Sequence, residues 1–159
     1  MTDMRYGGRG SSAAERGTPI DLTRDAGPFG AARFVVIDDD EANVHLLTRV
    51  LRIAGATDVH GITEPANAAS ACLALRPDVV FLDLHLGHLD GHDVLAQLRS
   101  AEQQPEVIVL SGETSEDVRA RTLAAGARDF ITKPFDIADV LQRVRAVLGS
   151  ISVEAGHPR

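Results

Sequence analysis

The chain has 159 residues, 44% hydrophobic and 25% charged, with a net charge of −7 at pH 7. That is room for one ordinary domain and too balanced a composition for a disordered, collagenous or membrane-spanning chain. The negative balance disfavours direct binding to nucleic acid. A single cysteine, Cys72, cannot close an intramolecular disulfide, and no Cys/His spacing suits a structural zinc site, so a reducing cytoplasm is the expected compartment. No run approaches the roughly 20 apolar residues of a membrane span, and no signal-peptide core is present. Neither secretion nor membrane insertion is expected.

Residues 1–31 are rich in Gly, Ser, Pro and Arg without periodicity, and are expected to form a disordered tail. From residue 32 short apolar runs alternate with amphipathic stretches, the pattern of repeated βα units. The predicted strands are residues 33–38, 58–62, 78–83, 106–111 and 129–133. The first, third and fourth are nearly continuous Val, Ile, Leu and Phe, as suits strands buried on both faces, whereas the mixed second and fifth suit sheet edges. Residues 43–54 carry Val44, Leu47, Leu51 and Ala54 at helical spacing, and residues 137–148 carry Ile137, Val140, Leu141, Val144 and Leu148. Gly55, Pro77 and Gly126 mark helix ends, and the sequences around Ser115 and Asp136 read as helix N-terminal caps. The fourth predicted helix, residues 115–125, has only Val118 and Leu123 as large apolar residues and is expected to be a moving part. Cys72 reads as a small core residue in an Ala-rich helix. Residues 150–159 are expected to be a flexible tail. Five consecutive βα units over residues 32–149 predict one α/β domain, a doubly wound five-stranded parallel sheet with right-handed crossovers and helices on both faces.

In such sheets ligands bind beyond the carboxyl ends of the strands, where the strand order reverses. Polar residues end four of the apolar runs: Asp38-Asp39-Asp40-Glu41, Asp83, Ser111 and Lys133. Their separations match about two, one and one βα units, so they should converge on one edge. Taken alone, the acid run is equally well the dipole-favoured start of a helix. Together with Asp83 it makes a cleft of carboxylates that a cation must offset. Mg²⁺ meets that demand, since it takes oxygen ligands, among them one or two carboxylates and phosphate oxygens. Asp38 and Asp39 with Asp83 supply the acids. A carboxylate beside such a metal, with a hydroxyl and an ammonium nearby, is equipped to attack a phosphoryl group and hold the acyl phosphate that results. Asp83 would be that nucleophile. Lys133 is the one lysine among 16 Lys and Arg side chains, which suits a place for a compact ammonium.

Five segments, in order, resemble the response-regulator receiver domains of bacterial two-component signalling. They are Val35-Val36-Ile37-Asp38-Asp39-Asp40, Pro77-Asp78-Val79-Val80-Phe81-Leu82-Asp83-Leu84, Leu89-Asp90-Gly91, Val107-Ile108-Val109-Leu110-Ser111-Gly112, and the run from Gly126 to Phe135 that contains Thr132-Lys133-Pro134. The resemblance implies a flavodoxin-like (βα)5 fold with strand order 2-1-3-4-5. It implies that Asp83 accepts a phosphoryl group from a sensor histidine kinase or a histidine phosphotransfer protein. Asp38, Asp39 and Asp83 would organise Mg²⁺, with the backbone carbonyl of His85 completing the protein ligands. Ser111 would bond one phosphoryl oxygen, Lys133 would pair with another, and Phe130 would move inward as Ser111 is drawn to the phosphate. The Lys133-Pro134 bond would be cis. The protein would be a switch and not an enzyme with a separate substrate, catalysing only its own phosphotransfer and dephosphorylation. Its partner would be a downstream protein, bound through the surface of the fourth helix, fifth strand and fifth helix with Arg119, Arg121, Arg143 and Arg145; a phosphorylation-linked dimer stays open. No effector domain fits in the flanking segments, so a stand-alone receiver is expected. One departure is Gly87, where the family has Pro, expected to loosen the loop after Asp83.

Two other functions compete. A haloacid-dehalogenase-type phosphatase would use Asp38 and Asp40 as nucleophile and acid, but it leaves Asp83 idle and needs a substrate-covering insertion. A phosphorylation-independent interaction module keeps the fold without the chemistry, and the intact acid set speaks against it. His85, His88 and His92 invite a transition-metal site, but solvated loop histidines are the plainer reading. His85 and Glu113 stand near enough to the expected pocket to tune hydrolysis of the phosphoryl group.

Overall fold

The computed structural model describes residues 27–155; the rest of the two expected tails, 1–26 and 156–159, lies outside the described residues. A short helix α1 (Gly27–Ala31) precedes strand β1 (Arg33–Ile37). Then follow α2 (Glu41–Ile53), β2 (Asp58–Ile62), α3 (Ala68–Leu75), β3 (Val79–Asp83) and α4 (Gly91–Arg99). The last βα units are β4 (Glu106–Ser111), α5 (Glu116–Ala124), β5 (Asp129–Thr132) and α6 (Ile137–Ala155). All strand pairs of the main sheet are parallel, in the order β2-β1-β3-β4-β5. This is the doubly wound flavodoxin-like order, with the mixed strands β2 and β5 at the edges as their composition predicts.

Strand alternation builds two cores from one sheet. Phe34, Val36, Phe81 and Ile108 face α1, α2 and α6, where they meet Phe29, Leu47, Leu51, Val140 and Val144. Their chain neighbours Val35, Ile37, Val80, Leu82 and Val109 face the other side and meet Cys72, Leu95 and Leu98. Cys72 is fully buried, and burial pushes its thiol up to about 12, as a core residue requires. No described helix is long and apolar enough to cross a membrane.

The ordered chain is longer than expected at both ends. Phe29 is buried, stacked on Phe34 with ring centroids 6.0 Å apart, and the Arg145 guanidinium lies 5.6 Å from its ring centre. One buried aromatic with a cation over it offsets the entropy of ordering a short Gly/Ala segment; the composition of the whole stretch hid it. At the other end α6 continues past residue 150 to Ala155. Ile151 packs on the core, and Ser150 and Ser152 satisfy their hydroxyls on the carbonyls of Val147 and Leu148. Serines bonded back onto the helix in this way do not end it.

Candidate functional site

β1 and β3 flank the reversal of strand order, and the chain leaves each of them through an aspartate. Asp38 is 2% and Asp83 7% exposed, while Ser111 at the end of β4 is fully buried. Carboxylate oxygens of Asp38, Asp39 and Asp83 lie within 4.8 Å of one another. Asp83 pairs across the sheet with Leu110, so Ser111 stands one residue beyond it on the neighbouring strand. Lys133, just past β5, reaches back over the sheet edge. Its Nζ donates to Asp83 Oδ2 at 2.7 Å and to Asp38 Oδ2 at 3.1 Å, and its backbone N–H donates to the Ser111 carbonyl at 2.7 Å. The Lys133-Pro134 peptide bond is cis.

Near neighbours supply further donors and leave lone pairs free on both acids. Asp38 Oδ1 accepts the Asp40 N–H at 2.9 Å, and its Oδ2 also accepts Asn43 Nδ2 at 3.1 Å. Asp83 Oδ1 accepts the His85 N–H at 2.9 Å. Burial raises the Asp83 carboxyl above its ordinary range, against the pull of Lys133 and the His85 N–H, and the Asp38 charge adds to the rise. Burial also works against the Lys133 ammonium, but its bonds to Asp83 and Asp38 hold it above its usual value. Three carboxylates with no soft ligand suit a hard divalent cation such as Mg²⁺. Among the described residues this trio alone brings three metal-ligating side chains together; the three histidines do not.

Two glycines shape the loop after Asp83. A Cβ on Gly91 would fall on the Asp83 carbonyl oxygen and 2.6 Å from Leu84 Cα, so only glycine lets α4 start beneath the acid. Gly91→Ala is expected to cost about 1–3 kcal/mol in urea unfolding; a change within error would show that the chain has room there. Gly87 has φ +64° and turns a tight antiparallel pairing of His85-Leu86 with Leu89-Asp90. The expected loosening is therefore corrected. Gly87 supplies the left-handed turn residue of a closed hairpin, which the fixed negative φ of proline could not.

The other singled-out residues divide. His85 Nε2 lies 3.6 Å from Glu113 Oε1, across the two loops that border the pocket, and both side chains are exposed. His92 does not fit the reading as a solvated loop histidine: it lies in the first turn of α4, is 18% exposed, and bonds on both ring nitrogens. The four arginines do not form one free surface. Arg143 is tied to Asp129 and Asp139, Arg145 covers Phe29, and Arg119 donates to the Phe130 carbonyl at 3.0 Å while lying 5.8 Å over its ring. Phe130 itself is buried. Asn43 and the Arg119 contact were missed in the sequence, since Asn and Arg near a helix start carry no distinctive spacing.

Fold and site together define a doubly wound α/β domain with an acidic pocket, capped by one lysine, at its switch point. The response regulator receiver domain model matches residues 34–145, and the chain belongs to that family, which sets the phosphatase alternative aside. It is 40% identical over 116 residues to the transcriptional regulatory protein PrrA of Mycobacterium tuberculosis, covering 73% of this chain and 49% of PrrA. It is 36% identical over 124 residues to the response regulator MprA of Mycobacterium ulcerans, covering 78% of this chain and 53% of MprA. The chain thus spans about half the length of these curated relatives. Among solved structures it superposes on the Francisella response regulator 1452 receiver domain with TM-score 0.70 and 26% identity, covering 76% of this chain and 98% of that one. The BeF3-activated N-terminal receiver domain of Klebsiella pneumoniae RstA gives TM-score 0.67 and 28% identity, with 73% and 97% covered.

Proposed function

We propose that this chain is a phosphorylation-controlled switch that takes a phosphoryl group onto Asp83 from a histidine kinase or phosphotransfer protein and signals by binding another protein. The observation that carries the reading is the single lysine shared between Asp83 and Asp38 beside Asp39. An Asp83 carboxylate oxygen attacks phosphorus as the donor's phosphorus–nitrogen bond breaks. The Lys133 ammonium, which now faces Asp83, then pairs with a phosphoryl oxygen, and the Ser111 hydroxyl donates to a second. Asp38, Asp39, Asp83 and the His85 carbonyl would hold Mg²⁺, which when bound neutralises charge on the transferring phosphoryl group. Phe130, packed beneath Arg119 next to α5, carries the change to the outer surface. PrrA is named as a transcriptional regulatory protein and MprA as a response regulator, and the match covers about half of each; for this chain we propose output through a cytoplasmic protein partner.

The test is intact mass after incubation with Mg²⁺ and acetyl phosphate: the whole chain gains one phosphoryl group, and no gain with the fold intact counts against the reading unless a kinase supplies it. A second result concerns turnover. An imidazole and a carboxylate flanking the pocket are placed to orient attacking water, so His85→Ala and Glu113→Ala should each slow loss of the phosphoryl group about twofold or more. Unchanged decay of the labelled mass removes both residues from that role.

A further inference from the structure

We propose that His92, carrying a proton on both ring nitrogens, is a positioning residue that straps α5 to the loop leaving Asp83. Its Nδ1 lies 2.9 Å from Asp90 Oδ1 and its Nε2 lies 2.9 Å from Thr122 Oγ1. Thr122 Oγ1 also lies 2.7 Å from the Val118 carbonyl oxygen. Two oxygens that close need the hydroxyl hydrogen between them, so Thr122 offers His92 only a lone pair and Nε2 must donate. Asp90 accepts as well: its carboxyl is held below the usual range, first by the His92 N–H and then, against burial, by the His92 ring and Arg121. Both ring nitrogens therefore face acceptors. Taking one proton away leaves either a lone pair against the Asp90 carboxylate or the Thr122 hydroxyl pulled off Val118.

The strap matters because α5 is lightly anchored, by Val118 partly buried on the core and by Arg119 on the Phe130 carbonyl. Thr122 is its one buried residue, and Leu123 is 36% exposed. Asp90 closes the loop that begins at Asp83, and α5 continues the loop that begins at Ser111. His92 thus spans the two loops that carry the pocket, at one side of a groove of about 290 Å³. The titratable and charged groups around that groove are His85, His88 and Asp90 from the first loop, Glu113 from the second, and Arg121 from α5. Asp93, next to His92 on α4, lines a different cleft toward α3. The consequence for phosphotransfer rests on the reading of the pocket given above; the strap itself does not.

Hydrogen–deuterium exchange on the whole chain, without phosphodonor or Mg²⁺, tests it. After correction for intrinsic rates, protection of the α5 amides relative to α4 should fall about three- to tenfold between about pH 5.5 and about pH 8. His92→Phe and Thr122→Val should each abolish that step, while the double variant His85→Asn, His88→Asn retains it. A wild-type chain with no step, or a step that survives in Thr122→Val, overturns the proposal even if His92→Phe fails to fold. So does nitrogen NMR showing a singly protonated His92 ring at about pH 5.5. Since no phosphoryl group is involved, failure of Asp83 to be phosphorylated would leave this result standing, and failure of the strap would leave the phosphoacceptor reading standing.

Discussion

Asp83→Asn should gain no phosphoryl group from acetyl phosphate under conditions where the wild-type chain gains one, and at neutral pH it should melt higher than wild type. The first half follows from chemistry, because an amide is not a nucleophile toward phosphorus while the rest of the pocket stays in place. The second half follows from electrostatics. Burial raises the Asp83 carboxyl above its ordinary value of 3.8, with the Asp38 charge adding to the effect. The folded chain therefore holds that proton more tightly than the unfolded chain does, and ionising Asp83 costs stability. The cost is fully present above the folded value, shrinks as pH falls through it, and is gone below 3.8. The variant's advantage should follow the same course, amounting to about 2–5 °C in Tm at neutral pH. The single Asn carbonyl can accept from Lys133 or from the His85 N–H but not from both, as the carboxylate does, so one bond is lost and the rise in Tm is what remains after that loss. A labelled Asp83→Asn would place the acceptor elsewhere, and a lower Tm at neutral pH would mean that the carboxylate stabilises the fold.

The parts of this molecule that were legible in the sequence are those where one physical demand dominates. Strands buried on both faces must be continuously apolar, so β1, β3 and β4 stood out with almost correct limits, and a polar residue ending such a run has to lie at the sheet edge. That is why Asp38, Asp83 and Ser111 fall on one edge from the sequence alone, where Lys133 joins them from the end of the mixed fifth strand. What was not legible depends on single side chains finding distant partners. Phe29 orders a segment whose composition is otherwise that of a tail, because its ring meets Phe34 and Arg145. Gly87 read as slack, since a sequence does not give the sign of φ. His92 read as a loop histidine because Thr122 stands 30 residues away along the chain. The weak apolar face of α5 was visible, but the polar contacts that replace it, through Arg119 and Thr122, were not.

Lys133→Ala should remove most of the phosphoryl uptake and, unlike Asp83→Asn, destabilise the fold. The ammonium is the nearest cation to two nearly buried carboxylates, with bonds of 2.7 and 3.1 Å. Deleting it leaves like charges facing each other without compensation, which costs about 2–3 kcal/mol after allowance for the part of Lys133 that reaches solvent. The pH dependence has a definite sign. Lys133 is held above its ordinary value of 10.5, so its contribution is full below that pH and is lost as pH rises through the folded value. At the acid end the variant's deficit closes as Asp83 takes up its proton. A divalent cation offers the carboxylates a second source of positive charge, so Mg²⁺ should raise the urea midpoint of Lys133→Ala more than that of wild type. Uptake from acetyl phosphate should fall about a hundredfold, the scale on which one preorganised charge acts on a transition state. Lys133→Arg separates the two roles: it restores charge and part of the stability, but a planar fork in place of a point charge does not meet both carboxylates and a phosphoryl oxygen, and uptake stays low. Normal uptake by Lys133→Ala would confine the lysine to holding the acids together, and a Mg²⁺ response no larger than in wild type would show that the cation and the ammonium do not answer the same charge.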